Sequence, residues 1–270
     1  MKKSLYRLML ELTHNPLYNV MLKKAATHRW SRAFIPSFSK TFNINTDEVA
    51  RQQSEFHHLN DFFSRELKEG SRPVSQDVHE IVSPVDGVLA EVGDITDKTL
   101  MHIKQKPHSL ETMLGLKSAV NTYLGGKYYV FYLSPKDYHR IHAPYAGHVR
   151  RRWALGRYSE PVNHLGFYFG QEPLATNYRL ITEYETAKQR FAVVKIGALN
   201  VNSIHLSHTG SYSQKGEEMG YFSFGSTVVL LFQQDTVKLA QWIIDANKHD
   251  LPIKQGETIG SWIKQEETSS

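Results

Sequence analysis

The sequence reads Gly220-Tyr-Phe-Ser-Phe-Gly-Ser-Thr-Val-Val-Leu-Leu-Phe232 near its C-terminal end, and the second half of this stretch predicts a buried β-strand that begins at Ser226. Gly225 stands directly before this serine. Because glycine has no Cβ, its backbone can take a strained conformation that brings the Gly225 carbonyl near the Ser226 hydroxyl. The serine is therefore better placed to cut the preceding peptide bond than to attack an external ester. Gly-Ser-Thr is also common in ordinary buried strands, so this interpretation needs support from other segments.

Further segments predict β-structure around this strand. Residues 80–92 alternate around a turn at Pro84 to Gly87, and residues 127–133 and 191–196 are apolar runs rich in aromatic and β-branched side chains. Residues 238–247 predict a short helix. The sequence therefore indicates a β-rich core.

The N-terminal part has a different character. Residues 1–66 read mainly as helices, with Asn45 as the N-cap of a short one and residues 60–67 as another that ends before Gly70. We expect an α+β protein in which a helical region, 1–66, covers a β-rich domain, 67–270. The core is expected to be sandwich-like or barrel-like, with a distant likeness to lipoyl domains.

The positive charge is concentrated in the first 40 residues, which hold eight Lys or Arg against one Glu, a net charge of +7, while the rest of the chain carries −2. Apolar residues such as Leu5, Leu8 and Leu12 recur among these cations at helical spacing. A basic amphipathic layer of this kind suits an anionic membrane surface better than nucleic acid. The apolar stripe can instead pack on the body of the protein, and the two interpretations are compatible.

Composition excludes several classes of site. With 270 residues, 40% of them hydrophobic, the chain has ample material for a folded core. It contains no cysteine, which rules out disulfides, thiolate metal sites and cysteine nucleophiles, and which fits a reducing compartment.

Cleavage at Gly225 requires a base, since a serine hydroxyl is a weak nucleophile at neutral pH. His139 and His142 stand three residues apart at the end of a predicted strand, and Asp86 precedes a turn glycine. Asp-Gly is also common simply as a turn, and the histidine pair could be a surface pair or half of a zinc site. Because no third ligand is evident nearby, we expect no metal.

Five blocks together resemble the phosphatidylserine decarboxylase family of prokaryotic type. The signature blocks are Ser-Pro-Val-Asp-Gly (83–87), Asp-Tyr-His-Arg-Ile-His-Ala-Pro (137–144) and Gly-Glu-Glu-Met-Gly-Tyr-Phe-Ser-Phe-Gly-Ser-Thr-Val (216–228). The blocks at 62–73 and 194–204 are also similar to the family, and all five stand in the family's order. Jointly they are far more specific than any one alone.

The resemblance implies that the chain is a proenzyme that cuts itself. Asp86 would orient His142, and His142 would take the proton of Ser226. The serine oxygen would then attack the Gly225 carbonyl to form an ester, and elimination and hydrolysis would leave a pyruvoyl group with loss of ammonia. The products would be a large chain, 1–225, and a small chain of 45 residues, 226–270, which stay together as a heterodimer.

The resemblance also implies the reaction. The pyruvoyl group made from Ser226 would form a Schiff base with the amine of phosphatidylserine and act as an electron sink while CO2 leaves. His139 is the candidate for protonating the resulting carbanion, which gives phosphatidylethanolamine, although the two histidines could exchange roles. The enzyme would be peripheral to the cytoplasmic side of the cell membrane.

Three other functions would use similar residues. A pyruvoyl decarboxylase of a soluble amino acid shares the activation but does not need a basic apolar N-terminus. A Ser-His-Asp hydrolase would need a Gly-x-Ser-x-Gly elbow followed by a helix, whereas Ser226 opens a predicted strand. A non-enzymatic carrier or membrane adaptor would resemble a lipoyl or biotinyl domain, yet the chain shows no matching lysine hairpin.

Overall fold

The computed structural model describes residues 21, 24–96, 100–103, 106–156, 173–187, 189–197, 204–223, 226–246 and 249–263. Within them lie three short 3₁₀ helices, at Arg29–Phe34, Thr46–Glu48 and Gln53–Glu55, together with the following α-helices and strands. The helices are α1 (Ile35–Thr41), α2 (Leu59–Phe63), α3 (Leu110–Leu114), α4 (Lys117–Tyr123), α5 (Pro173–Thr176) and α6 (Gln241–Asp245). The strands are β1 (Glu80–Val82), β2 (Gly87–Asp94), β3 (Leu100–Ile103), β4 (Lys106–Ser109), β5 (Lys127–Leu133), β6 (Arg140–His142), β7 (Gly147–Leu155), β8 (Arg179–Glu185), β9 (Arg190–Gly197), β10 (Ile204–Leu206), β11 (Tyr212–Ser213), β12 (Glu218–Phe222), β13 (Ser226–Phe232), β14 (Val237–Leu239), β15 (His249–Ile253) and β16 (Thr258–Trp262).

The strand predicted at Ser226–Phe232 is β13, and it lies inside an eight-stranded sheet with the order β11-β7-β8-β9-β13-β5-β2-β15. It pairs antiparallel with β9 and β5, so that Ser226 is opposite Gly197 on one side and Leu133 on the other. The strand is also covered on both faces of the sheet. It therefore needs side chains that suit burial on two faces, which the run of Val and Leu provides. The predicted strands at 127–133 and 191–196 are confirmed as these two neighbours.

Alternate residues of β13 enter two different hydrophobic cores. Val229 and Leu231 pack with α3 and α4 on one face of the sheet. Val228 and Leu230 pack on the other face, where β6 and β12 contribute Ile141, Met219 and Phe222. The strands β10, β12 and β6 form a small sheet of their own. The second core therefore holds the histidine-bearing β6 close to the large sheet.

The predicted α+β class with a β-rich core is confirmed, and the sheets are open. The short helix predicted after Asn45 is also confirmed, because the Asn45 side chain accepts a hydrogen bond from the Asp47 amide at 3.2 Å. The N-terminal layer has its own core, built around Phe56 and Phe62. The boundary between 66 and 67 stays a prediction, and the apolar stripe at Leu5 to Leu12 lies outside the described residues.

Two helices are shorter than predicted. The helix expected over 60–67 ends at Phe63, because the chain beyond it is extended and Leu67 pairs with Val49. The helix expected over 238–247 begins only at Gln241, since residues 237–239 form β14 against β16. In both places a pairing partner distant in the sequence decides the conformation, which local spacing does not reveal.

Lys195 on β9 makes the stability of the fold depend on pH. Its side chain is fully buried and donates one hydrogen bond, 2.8 Å long, to Thr182 Oγ1. Burial, helped by the charge of Arg152, lowers the pKa of Lys195 to about 7, while an unfolded lysine has a pKa of about 10.4. Between these values the unfolded chain binds more protons, so the free energy of unfolding rises with pH.

We therefore expect Lys195→Met to raise the free energy of unfolding at pH 7, by an amount on the order of 2–4 kcal/mol. The gain should largely disappear by about pH 11.5, above the pKa of the unfolded lysine, where the residue is neutral in both states. Denaturant unfolding of both chains at the two pH values measures this difference. A gain that is the same at both values would show that Lys195 is not the group responsible.

Candidate active site

The segment that carries His139 and His142 begins beside Ser226, because β5 ends at Leu133, the residue that pairs with this serine. A tight turn follows, in which the amide and the hydroxyl of Ser134 each donate to Asp137 Oδ2 at 2.7 Å. The Asp137 amide donates back to the Ser134 carbonyl at 2.9 Å. A side chain that closes its own turn fixes the direction in which the chain leaves it. Tyr138, His139 and β6 therefore follow in a defined position.

His142 is oriented by a backbone carbonyl. Its Nδ1 lies 2.9 Å from the Gly216 carbonyl oxygen, which can only accept, so Nδ1 carries the proton and donates. Its Nε2 is then the basic nitrogen, and it accepts a hydrogen bond from the Tyr138 hydroxyl at 3.1 Å. Burial lowers the pKa of His142, and the hydrogen bond to Gly216 opposes this shift. At neutral pH the ring is therefore an uncharged base with a fixed tautomer.

His139 is the more deeply buried histidine, with none of its surface exposed. Its Nδ1 donates to the Asp137 carbonyl at 2.8 Å, and its ring lies against Phe63 with centroids 4.0 Å apart. Burial lowers the pKa of His139 to about 3, and within the described part of the chain Nε2 has no hydrogen-bond partner. The ring can accept a proton at Nε2, but in this state it holds none there to give.

Asp86 is held by one cation and one backbone amide rather than by a histidine. Arg72 donates to both carboxylate oxygens, at 2.8 and 2.5 Å, and the Gln255 amide donates to Oδ1 at 2.8 Å. Burial acts to lower the pKa of Arg72, but its bonds to Asp86 and Glu48 outweigh this effect and leave the pKa above its usual value. Asp86 thus belongs to a buried ion network.

Asp86 and His142 are not hydrogen-bonded to each other. The Gly216 carbonyl takes the position at Nδ1 that was expected for the carboxylate. The charge of Asp86 still raises the pKa of His142, against the larger effect of burial. The orienting role of Asp86 therefore stays a prediction, and in this structure any such influence is electrostatic.

The end of β12 brings the residues that precede the predicted cleavage site to the segment that carries the histidines. The Phe222 amide donates to the His139 carbonyl at 2.9 Å, and Ser226 resumes the described chain as the first residue of β13. Gly225 lies outside the described residues. Among the described residues, the hydroxyl of Thr227, which directly follows Ser226, is buried without a hydrogen-bond partner, as is His139 Nε2.

Sequence reasoning missed three groups that contact the candidate residues. They are Arg72, which binds Asp86, Gly216, whose carbonyl orients His142, and Tyr138, which donates to His142. Arg72 and Gly216 each stand within a block that resembles the family, which was the available signal. Which atoms they would contact depends on long-range packing and could not be predicted from spacing.

A polar cavity of about 190 Å³ opens beside Asp86 and Tyr138, between the N-terminal layer and the loop that carries the histidines. Its lining carries both signs of charge, with Arg65, Lys136 and Lys254 among the cations. Such a cavity suits a small charged group better than an apolar one. Within the described ranges, no cluster of three or more His, Asp and Glu side chains is arranged to hold a metal ion.

The chain is similar to known proteins over nearly its whole length. The sequence model of the family described as phosphatidylserine decarboxylase matches residues 59–261. A protein of Geobacillus kaustophilus (strain HTA426), named phosphatidylserine decarboxylase proenzyme, is 46% identical over 99% of this chain and 100% of its own length. Proteins with the same name from Bacillus mycoides (strain KBAB4) and Halalkalibacterium halodurans are 46% and 44% identical, over 97% and 98% of this chain and 99% and 100% of theirs.

Proposed function

Because this chain belongs to the phosphatidylserine decarboxylase family, we propose that it converts phosphatidylserine to phosphatidylethanolamine and CO2 with a pyruvoyl group that it makes from Ser226. The observation that carries the proposal is the position of Ser226. It opens the central strand β13, paired with the residue that leads into the turn bearing His139 and His142. The nearly full-length similarity to proteins named as proenzymes supports a chain that is activated by processing.

Maturation would begin with removal of the proton from the Ser226 hydroxyl. We assign this step to His142, whose Nε2 is basic at neutral pH and whose ring is held at both nitrogens. The serine oxygen attacks the Gly225 carbonyl, and the bond to the Ser226 nitrogen breaks as an ester forms. Elimination then releases the Gly225 carboxylate. Hydrolysis by water removes the nitrogen of residue 226 as ammonia and leaves the pyruvoyl group. The chain 1–225 and the chain 226–270 remain associated, because β13 lies between β5 and β9.

The residues around Ser226 fit a small ketone at this position. His139 Nε2 and Thr227 Oγ1 are buried polar atoms that have no hydrogen-bond partner among the residues that the structure describes, and a buried polar atom without a partner lowers stability. A pyruvoyl group supplies an electron sink for the decarboxylation of an amino acid. His139 would accept a proton at Nε2 from the incoming ammonium group, and the same nitrogen could later return a proton to the substrate carbon. The buried Phe63 ring against His139 keeps water from that face of the imidazole.

The headgroup of phosphatidylserine carries an ammonium, a carboxylate and a phosphate. The polar cavity beside Tyr138 and Asp86 offers charges of both signs for such a group. It borders Arg65, which is 3% exposed and donates to the carbonyls of Lys136 and Asp137 at 2.7 and 2.9 Å. We propose that the headgroup enters from this side.

The described part of the N-terminal layer supports a peripheral position on an anionic membrane. Trp30 and Phe34 are 53% and 51% exposed and contact each other edge to face at 5.7 Å. The cations Lys24, Arg29 and Arg32 are exposed and stand near them in the sequence. Aromatic rings beside cations are typical of membrane-interface segments. Among the described residues, no helix has the length and apolar character to cross a membrane.

Replacing both aromatic residues, Trp30→Ala with Phe34→Ala, should weaken binding to vesicles of phosphatidylserine and phosphatidylcholine at least about tenfold, since burying one such ring contributes about 1.5–3 kcal/mol. Vesicle co-sedimentation measures the change. Trp242→Ala is the matched control, because this tryptophan is also exposed, at 38%, but lies on α6. Equal losses in the two chains would argue against the N-terminal layer as the docking surface.

The proposed function is tested by the intact mass of the purified protein and by CO2 release. We expect two species that meet at Gly225 and Ser226, with the small chain lighter by one ammonia than the plain peptide 226–270. The same preparation should release CO2 from phosphatidylserine vesicles without an added cofactor. A folded protein with a single mass of about 31.0 kDa would contradict the proposal.

A further inference from the structure

Ser223 lies two residues before Gly225 and is held from two directions. The side-chain amide of Asn60 donates to the Ser223 carbonyl oxygen at 2.7 Å. On the other side, His205 Nε2 and the Ser223 hydroxyl lie 3.2 Å apart in a hydrogen bond. Ser223 itself is 4% exposed, and both bonds are partly buried. The backbone and the side chain of this residue are thus fixed by different parts of the fold.

Both groups that hold Ser223 stand on ordered elements. Asn60 is the second residue of α2, whose first amide, that of Leu59, donates to the Ser31 hydroxyl at 3.0 Å. His205 is on β10, opposite Tyr221 of β12, and its ring stacks on that tyrosine with centroids 4.7 Å apart. Neither contact depends on a surface side chain that is free to turn. The position of the Ser223 carbonyl is therefore set by the N-terminal layer and the small sheet together.

The other end of the cleavage segment is also fixed. Ser226 is paired in register with Gly197 and Leu133 inside the large sheet. Only two residues, Phe224 and Gly225, separate this anchored strand from the anchored Ser223. Because this connection is so short, we expect a shift at Ser223 to change the position of the Gly225 carbonyl. Intramolecular attack is sensitive to such shifts, because a misplacement of about 1 Å can slow a reaction by about a hundredfold.

We propose that Asn60 is a positioning residue for self-cleavage, which holds the Ser223 carbonyl so that the Gly225 carbonyl is presented to Ser226. The inference rests on the proposed function, since it requires that the chain cuts itself. It gives the N-terminal layer a role in activation in addition to membrane docking. Asn60 does not touch the reacting atoms, and its effect is exerted through Ser223.

The test compares the rates of cleavage of three chains made by cell-free translation, followed as the loss of the uncut chain after synthesis stops. Asn60→Ala removes the amide, and Asn60→Asp keeps the shape but has no amide group to donate. We expect both to cut about tenfold more slowly than the natural chain, and Asn60→Asp to be no faster than Asn60→Ala. An Asn60→Asp chain that cuts at the natural rate would overturn the inference, because packing alone would then suffice.

A matched control separates positioning from general loss of stability. Gln53→Ala removes another side-chain amide of the same layer, one that donates to Ser39 Oγ at 3.1 Å and does not reach the cleavage segment. It should cut at the natural rate at a temperature where circular dichroism shows every chain folded. Equal slowing by Gln53→Ala would overturn the inference. If the natural chain is itself uncut, the proposed function fails, whereas natural cleavage with unimpaired Asn60 variants rejects this inference alone.

Discussion

A chain that carries Ser226→Ala is expected to remain a single species of about 31.0 kDa and to release no CO2 from phosphatidylserine. Alanine has no hydroxyl, so neither the ester nor the pyruvoyl group can form. The loss of cleavage and of CO2 release should be complete rather than partial. Ser226 supplies both the nucleophile for cleavage and the atoms of the pyruvoyl group. Intact mass and CO2 release, measured on the same preparation, check both parts of this prediction.

Two further substitutions make the result specific. Ser213→Ala removes the hydroxyl of a different serine, which is buried, and this chain should cut and react normally. Ser226→Cys keeps a nucleophile at the same place, and because the natural chain has no cysteine, a thiol reagent would report on that residue alone. We expect hydroxylamine to cut the Ser226→Cys chain after Gly225. Cleavage of the Ser226→Ala chain at this bond would show that Ser226 is not the nucleophile.

The parts of this fold that sequence could predict are those decided by local pattern. The run from Ser226 to Phe232 has β-branched and apolar side chains at every position that faces a core, and β13 has the predicted bounds. The helix predicted over 60–67 was too long, because Leu67 pairs with Val49, a residue that precedes α2 in the chain. Composition and periodicity predict an element where its own residues decide its conformation. They do not predict it where a distant partner does.

The same distinction applies to the site. The blocks that contain Asp86, His139, His142 and Ser226 were recognisable in the sequence, but the bonds between them were not. Asp86 was expected to orient His142, which stays a prediction; in the structure Asp86 binds Arg72, and the Gly216 carbonyl accepts from the histidine. Every residue has a backbone carbonyl, so no sequence pattern predicts which carbonyl will accept the hydrogen bond of His142. The hydrogen bond from Asn60 to Ser223 joins residues 163 positions apart, which only the fold brings together.

Replacing each of the two histidines is expected to impair a different stage, self-cleavage in one variant and decarboxylation in the other. His142→Ala removes the base that we assign to Ser226, so self-cleavage should slow by about 10²–10⁴-fold. His139→Ala should still cut, because its Nε2 is not assigned to that step, but CO2 release per cut chain should fall by a similar factor. Cleavage is followed by intact mass, and decarboxylation by CO2 release normalised to the small chain. His148→Ala, on β7, is the control for removing an imidazole.

The pH dependence of cleavage gives an independent check on His142. A base acts only when it is neutral, so the rate is lost as pH falls through its pKa. Burial holds the pKa of His142 below the usual value of about 6.5, and the rate should therefore stay level from pH 8 to about 6.5 and decline only below it. A decline that begins above pH 7 would contradict a buried neutral base. Cleavage lost in His139→Ala and kept in His142→Ala would exchange the two roles, since each ring has one nitrogen tied to a carbonyl and the other basic.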